Sequence, residues 1–436
     1  EDRLPPVEEK DIIKSDAYYM NNREIFSNFI NKLFQPYRDQ LQDESSETLS
    51  CGSIRERKKT GQFTLLTHQN IVRDYLNLYT PYRGLLLFHG LGSGKTCTSI
   101  AIAEGLKTTN QVIVMTPASL RANYIKEMKF CGDSIYKKNQ FWEFIDTVAN
   151  PELIQPLSET LSLEEKYIQK NGGAWLVNIK KQSNFESLPT TQRQEVDAQI
   201  NEMISSKYRF INYNGLRNSH LETLTSGFTK NPFDNKVIII DEAHNFISRI
   251  VNKLGRDETM SMRLYEYLLS AENVRIVLLT GTPIINYPNE IGILFNILRG
   301  YIKTWRLQLN VKSKRIATKD KGKTERKVNS ETIRKIFERF NILDYFEYKP
   351  SSKILTITRN PFGFVSKLRK DKGTSDIVNK GVQFKEGEFV SDADFIKRVF
   401  QILAKEDIEV LSGSDDVQFN KALPDDFEGF KNLFIE

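Results

Sequence analysis

Five short apolar runs set the architecture this chain can adopt. They are Leu85–Phe88, Val112–Met115, Phe210–Asn212, Val237–Ile240 and Arg275–Leu279. None alternates apolar with polar residues, so each predicts a strand covered on both faces. Helical stretches lie between them. Strands alternating with helices imply a parallel sheet with right-handed crossovers, here over about residues 61–300. Between Cys131 and Tyr208 the rhythm lapses, and about 131–208 reads as a mostly helical, polar insertion at the sheet's edge.

The flanks read differently. Residues 1–60 predict a tail and one helix, with Ile25, Phe26, Phe29, Ile30 and Leu33 at helical spacing. Pro36 interrupts that helix. After about 301 the alternation stops. YFEYKPSSKILTITRNPFGFV predicts a hairpin around KPSS and a turn at Asn360-Pro361. A strand at Gly387–Val390, helices and polar loops follow. Residues 301–436 therefore read as an α+β appendage.

Composition narrows the class. With 39% apolar and 27% charged residues, the chain can bury a core. No apolar run approaches the ~18 residues of a membrane span. The start, EDRLPPVEEK, is neither a signal peptide nor an amphipathic presequence. It lacks a methionine, which suggests a processed or excerpted chain. Cys51, Cys97 and Cys131 are odd in number and widely spaced. That argues against a disulfide framework and a zinc site, and for a reducing compartment. The net charge is +6, and Lys312–Lys327 alone holds eight basic and two acidic residues. This segment predicts a mobile cationic loop. Such a loop either tracks a phosphate backbone or is a solvated insertion.

The chemistry concentrates where strands meet helices. In GLLLFHGLGSGKT, residues 84–96, a strand breaks into glycines and a helix follows. Gly90, Gly92, Ser93 and Gly94 let backbone N–H groups approach phosphate oxygens, and the helix N-terminus adds partial positive charge. Lys95 would reach the β- and γ-phosphates, and Thr96 would bind Mg²⁺. Cys97 closes the turn. His89 stands where the strict phosphate-loop pattern has its first glycine. VIIIDEAHNF, residues 237–246, is a buried strand ending in two carboxylates. Asp241 there can hold Mg²⁺, and Glu242 can act as general base. Capping of the next helix by Asp241 is the structural alternative.

Smaller pieces agree. Gln69, in LLTHQN, offers an amide suited to an adenine edge. VIVMTPASL, residues 112–120, opens into a turn whose N–H groups could grip a nucleic-acid phosphate, with Thr116 and Ser119 as contacts. Lys126, Lys314 and Arg315 are further candidates for nucleic-acid contact. In LLTGTP, residues 278–283, Thr280 and Thr282 could bond the Asp241-Glu242 carboxylates and couple them to motion. His68, His89 and His244 all fall inside these motifs without metal-ligand spacing, and read as hydrogen-bonding residues of the crevice.

Together, HGLGSGKT, TPASLRANYIKE, FINYNGL, DEAH and LTGTPIINYPNEIGILFNIL resemble lobe one of a superfamily 2 helicase-like ATPase, the SNF2-related branch in particular. The resemblance covers about residues 61–300. It is similar in detail to ATPases of the large DNA viruses, of the poxvirus early transcription factor small subunit and nucleoside triphosphate phosphohydrolase I type. The resemblance implies a RecA-like fold, ATP and Mg²⁺ as cofactors, and a DNA-dependent ATPase acting on duplex DNA in early viral transcription. A transcription factor large subunit or RNA polymerase is an implied partner, and a virion or cytoplasmic virus factory an implied location. Otherwise the chain is expected in a reducing, intracellular setting, with no membrane partner. An RNA helicase, or a DNA-binding transcription factor subunit without turnover, are the alternatives. The family's second lobe carries arginines, and no Q-x-x-G-R-x-x-R-like stretch occurs in 301–436. A fragment or truncated product, weakly active alone, is therefore expected.

Overall fold

The structure is a computed structural model. It describes residues 17–20, 22–39, 67–80, 82–88, 94–106, 110–256, 259–311, 315–317, 323–325, 328–340, 342–359, 365–370, 377–383, 391–413 and 415–433. The chain forms two units: Pro36–Tyr301 with Lys421–Glu436, and Glu1–Gln35 with Ile302–Asn420.

The first unit is built on five strands, β1 (Gly84–Phe88), β2 (Gln111–Met115), β3 (Tyr208–Ile211), β4 (Lys236–Ile240) and β5 (Arg275–Thr280). Their order is β1-β5-β4-β2-β3, and every pair is parallel. All five expected strands are present, with ends moved by a residue or so. Six helices matter for the site: α1 (Thr67–Asp74), α2 (Lys95–Leu106), α3 (Arg121–Cys131), α4 (Ala243–Val251), α5 (Met260–Ser270) and α6 (Glu290–Arg299).

The absence of polar alternation now has its cause. Val112, Val114, Val237 and Ile239 pack with Ile100, Tyr124 and Met128 of α2 and α3. Their neighbours Ile113, Met115, Ile238 and Ile240 pack with Phe246, Leu268 and Ile293 of α4, α5 and α6. Successive strand residues point to opposite faces, so two cores demand apolar residues at every position.

Arg83, just before β1, is half-buried at the other end of the sheet. It donates to the carbonyls of Leu268, Ala271, Ile297 and Leu298 at 2.7, 3.1, 2.7 and 3.4 Å, closing the C-terminal ends of α5 and α6. These are the carbonyls that helices leave unpaired. Burial, with Arg299 nearby, lowers the Arg83 pKa to about 10.

The 131–208 insertion differs from expectation. It contains an antiparallel pair, Trp142–Asp146 with Gly173–Val177, beside its helices. Trp142 and Trp175 join the core under α2 and α3. The expected 301–436 appendage also divides. Residues from Lys421 onward return to the parallel-sheet unit. There Asn296 Nδ2 donates to Leu423 O and Asp425 Oδ1, both at 2.8 Å, and Tyr265 OH donates to Asp425 Oδ1 at 2.7 Å.

The second unit is a six-stranded sheet ordered Ala17–Tyr19, Leu343–Lys349, Ile354–Arg359, Ile302–Val311 and Ile408–Ser412, with Val417–Asn420 also on Ile302–Val311; every pair is antiparallel. The hairpin expected around KPSS is its Leu343–Lys349 and Ile354–Arg359 pair. The N-terminal segment gives this sheet a strand besides the expected helix, Asn22–Leu33. Trp305, Phe337, Phe346 and Phe395 fill the core. Where a mobile basic loop was expected, Arg315–Ala317 pairs with Lys323–Glu325. Lys314, the Asn360-Pro361 turn and the Gly387–Val390 strand lie outside the described residues. Among the described residues, no helix is long and apolar enough to cross a membrane.

The reading of the cysteines is corrected. Cys97 on α2 and Cys131 at the end of α3 form a disulfide, their Cα atoms 5.6 Å apart. The two helices pack side by side, so residues 34 apart in sequence meet. Sequence spacing alone does not reveal such a contact.

Candidate functional site

Parallel register brings the strand ends to one edge. Phe88 lies beside Thr280, Ile240 beside both Leu278 and Met115, and Met115 beside Ile211. Open α/β sheets hold their ligands at this carboxyl edge. Because β5 lies between β1 and β4, Thr280 at its end and Thr282 just beyond come between Phe88 and the carboxylates.

The turn after β1 ends at Gly94, whose φ is +77°. A Cβ there would come within 2.5 Å of Gln69 Nε2. Gln69, buried on α1, donates its amide to Gly94 O at 3.3 Å. The Thr98 amide and hydroxyl donate to the same oxygen at 2.9 and 3.0 Å. Gln69 thus supports the turn itself. Lys95 and Thr96 follow as the first residues of α2. Cys97 follows on α2, its buried sulfur bonded to Cys131, which leaves its backbone as the part that could meet a nucleotide. His89, Gly90, Gly92 and Ser93 lie outside the described residues.

The carboxylates continue β4. Asp241 N donates to Met115 O at 2.9 Å, one residue past the strand. Asp241 Oδ1 accepts from Glu242 N at 3.0 Å. Glu242 itself is left-handed, with φ 48° and ψ 50°. That conformation costs a residue with a Cβ about 1–2 kcal/mol. Tyr213, in the FINYNGL segment, offsets this cost. Its hydroxyl donates to Asp241 O at 3.1 Å and to Glu242 O at 3.2 Å. Arg249 of α4 reaches back to Tyr213 O at 3.3 Å and Asn214 Oδ1 at 2.6 Å.

Electrostatics gathers the same groups. Burial, and then the Glu242 charge, push the Asp241 carboxyl from 3.8 to about 6. The Glu242 amide and the Lys95 ammonium pull it back. The Lys95 charge is thus felt at Asp241. Two crowded carboxylates with one of them reluctant to ionise form a hard-oxygen donor set, which fits Mg²⁺.

Thr280 and Thr282 were expected to bond the carboxylates directly, and the structure corrects this. Their partner is His244, whose Nδ1 lies 2.9 Å from Thr280 Oγ1 and 3.5 Å from Thr282 Oγ1. The same nitrogen is 3.4 Å from Glu242 Oε2. The helix that starts after Glu242 sets His244 between the threonines and the carboxylate. The crevice role expected of His244 is thus seen as a bridge.

Of the nucleic-acid candidates, Ser119 and Lys126 are exposed. Thr116 is fully buried, its amide donating to Ile211 O at 3.0 Å, so its side chain faces no solvent. Arg315 sits in the hairpin of the second unit. Tyr213 and Arg249 were missed by motif reading; their one sequence signal was a tyrosine directly after a buried strand.

Residues 62–285 match the family model described as ResIII, type III restriction enzyme, res subunit. The chain is 30% identical over 232 residues to the putative ATP-dependent RNA helicase R563 of Acanthamoeba polyphaga mimivirus, covering 53% of this chain and 32% of that protein. It is 26% identical over 274 residues to the termination factor NPH-I homolog of an African swine fever virus isolate, covering 63% of this chain and 30% of that one. The chain thus spans about a third of the length of these relatives. A solved structure, the Sulfolobus solfataricus SWI2/SNF2 ATPase core in complex with dsDNA, aligns at 16% identity and a TM-score of 0.28, over 54% of this chain and 35% of that chain.

Proposed function

The chain belongs to the type III restriction enzyme, res subunit family, and from that premise we propose that it is the nucleotide-binding lobe of an ATPase driven by duplex DNA. One observation supports the reading: Lys95, at the head of α2, and the Asp241-Glu242 carboxylates, past the end of β4, lie at the carboxyl edge of one parallel sheet, where the Lys95 charge is felt by Asp241. The head of α2 receives the phosphates, and the Lys95 ammonium offsets their charge. Thr96 and Asp241 would hold Mg²⁺, which would supply charge neutralisation at the phosphate oxygens. Glu242 orients a water and accepts its proton. His244 passes the state of that carboxylate to Thr280 and Thr282.

The work belongs to early viral transcription, with a transcription factor large subunit or RNA polymerase as partner, in the virion or cytoplasmic virus factory. Ser119 and Lys126 meet the DNA backbone.

The test measures nucleotide affinity and ATP turnover, with duplex DNA and with single-stranded RNA. Lys95→Ala should abolish nucleotide binding, whereas Glu242→Gln should bind and not turn over. Duplex DNA should stimulate turnover more than single-stranded RNA does. An intact affinity in Lys95→Ala would remove the phosphate role of the loop. Preference for RNA would favour the helicase activity named for the mimivirus relative.

A further inference from the structure

The turn between β5 and α6 is held at two points by one face of α4. His244 and Ser248 are one helical turn apart, so they share that face. His244 meets Thr280 and Thr282, as described. Ser248 meets the far end of the turn through Glu290. Ser248 Oγ donates to Glu290 Oε1 at 2.9 Å and accepts from Asn286 Nδ2 at 2.8 Å. The other carboxylate oxygen, Glu290 Oε2, accepts from the amides of Ile285 at 2.6 Å and Asn286 at 3.2 Å.

Glu290 is only 1% exposed. Burying a carboxylate is costly unless its oxygens are bonded, and here three donors converge on them. A carboxylate in the first turn of a helix commonly serves that helix's own dipole. This one instead holds the preceding turn against α4. The turn carries Ile284, Ile285 and Tyr287, all exposed.

We infer that Glu290 is a positioning residue of the ATPase. Its carboxylate locks the 281–289 turn to α4, so that movement of Glu242 and His244 on nucleotide binding is delivered to the Ile284–Tyr287 surface. The inference rests on the ATPase reading and extends it. Without the Glu290 anchor the outer half of the turn would keep only the Asn286–Ser248 bond to α4. That half would then be coupled only weakly to the carboxylates.

The experiment compares amide hydrogen exchange across residues 281–290 in the full chain, with and without a non-hydrolysable ATP analogue and Mg²⁺. Affinity for the analogue is measured alongside. In the wild type, the analogue should slow exchange at Ile285 and Asn286 by ~10-fold. Glu290→Ala should bind the analogue within ~3-fold of wild type yet show less than ~2-fold nucleotide dependence of exchange. Glu290→Gln keeps an acceptor oxygen and should recover most of that dependence, a rescue that a general loss of stability would not give. Ser248→Ala, which leaves the turn's own sequence untouched, should fall between. Nucleotide-dependent exchange in Glu290→Ala equal to wild type would overturn the assignment. So would loss of analogue binding in that variant with Glu290→Gln unable to restore it. A wild-type chain that binds no analogue would instead sink the ATPase reading itself, and this assignment with it.

Discussion

Tyr213→Phe removes one oxygen and little else. The ring remains packed on Phe246, 5.5 Å between centroids. What disappears is a hydroxyl shared between Asp241 O and Glu242 O. A hydrogen bond of this kind contributes about 1–1.5 kcal/mol net. The left-handed backbone at Glu242 costs about 1–2 kcal/mol, so the two quantities are of the same size. Glu242 O keeps one other donor, the Asn245 amide at 2.9 Å. The turn should therefore persist but populate its present geometry less. A loss near 1.4 kcal/mol corresponds to about tenfold, so single-turnover ATP hydrolysis should slow by ~5–10-fold. Affinity for ATP should change by less than ~2-fold, because the Gly94–Lys95–Thr96 side of the site is untouched. The assay is single-turnover hydrolysis with duplex DNA and enzyme in excess, with a thermal melt as control. In a Glu242→Gln background the same substitution should add no further loss. Unchanged hydrolysis in Tyr213→Phe, or an equal extra loss in the double variant, would refute the claim that Tyr213 acts through Glu242.

Other expectations follow from the same geometry. Asp241 is raised to about 6, so its ionised form, which holds a cation, is lost as pH falls through 6; Mg²⁺-dependent nucleotide affinity measured from pH 7.5 to 5 should drop by about tenfold. The sign for stability is opposite. A raised carboxyl is protonated more readily when folded, so its burial costs nothing below pH 3.8 and about 3 kcal/mol above 6. Asp241→Asn should therefore raise the melting temperature at pH 7 while removing nucleotide-dependent stabilisation. Gly94→Ala places a methyl against Gln69 in a left-handed turn, and should weaken ATP binding by at least about tenfold by titration, with Gln69→Ala in the same chain recovering part of it. Reducing the Cys97–Cys131 bond frees a loop of 34 residues, for which chain entropy gives about 4 kcal/mol at most; denaturant unfolding with and without dithiol should differ by ~2–4 kcal/mol.

Much of the first unit was legible because one physical demand governs it. A strand covered on both faces must be apolar throughout, and β4, reading Val237, Ile238, Ile239 and Ile240, is entirely buried. The strand-to-helix junctions at Lys95 and at Asp241-Glu242 were legible because an apolar run followed by glycines or by charged residues marks where a buried strand ends. The Trp142–Asp146 and Gly173–Val177 pair was not, since it is half exposed and its partners are joined by two helices. Ala17–Tyr19, three residues long, is too short for periodicity to register. The disulfide depended on α2 lying against α3, a tertiary fact. Tyr213 and Glu290 act through backbone atoms, which no side-chain pattern displays. The threonines after β5 were assigned to the right neighbourhood with the wrong partner, because the histidine between them and Glu242 had been read only as a general crevice residue.

Arg83 bears on where this lobe is able to move. Four carbonyls belonging to the ends of two helices converge on one guanidinium at the start of β1. The sheet is riveted there like a fan at its pivot, and a packed interior transmits displacement instead of absorbing it. A ligand arriving at the carboxyl edge should therefore spread the ribs more at that rim than at the pivot.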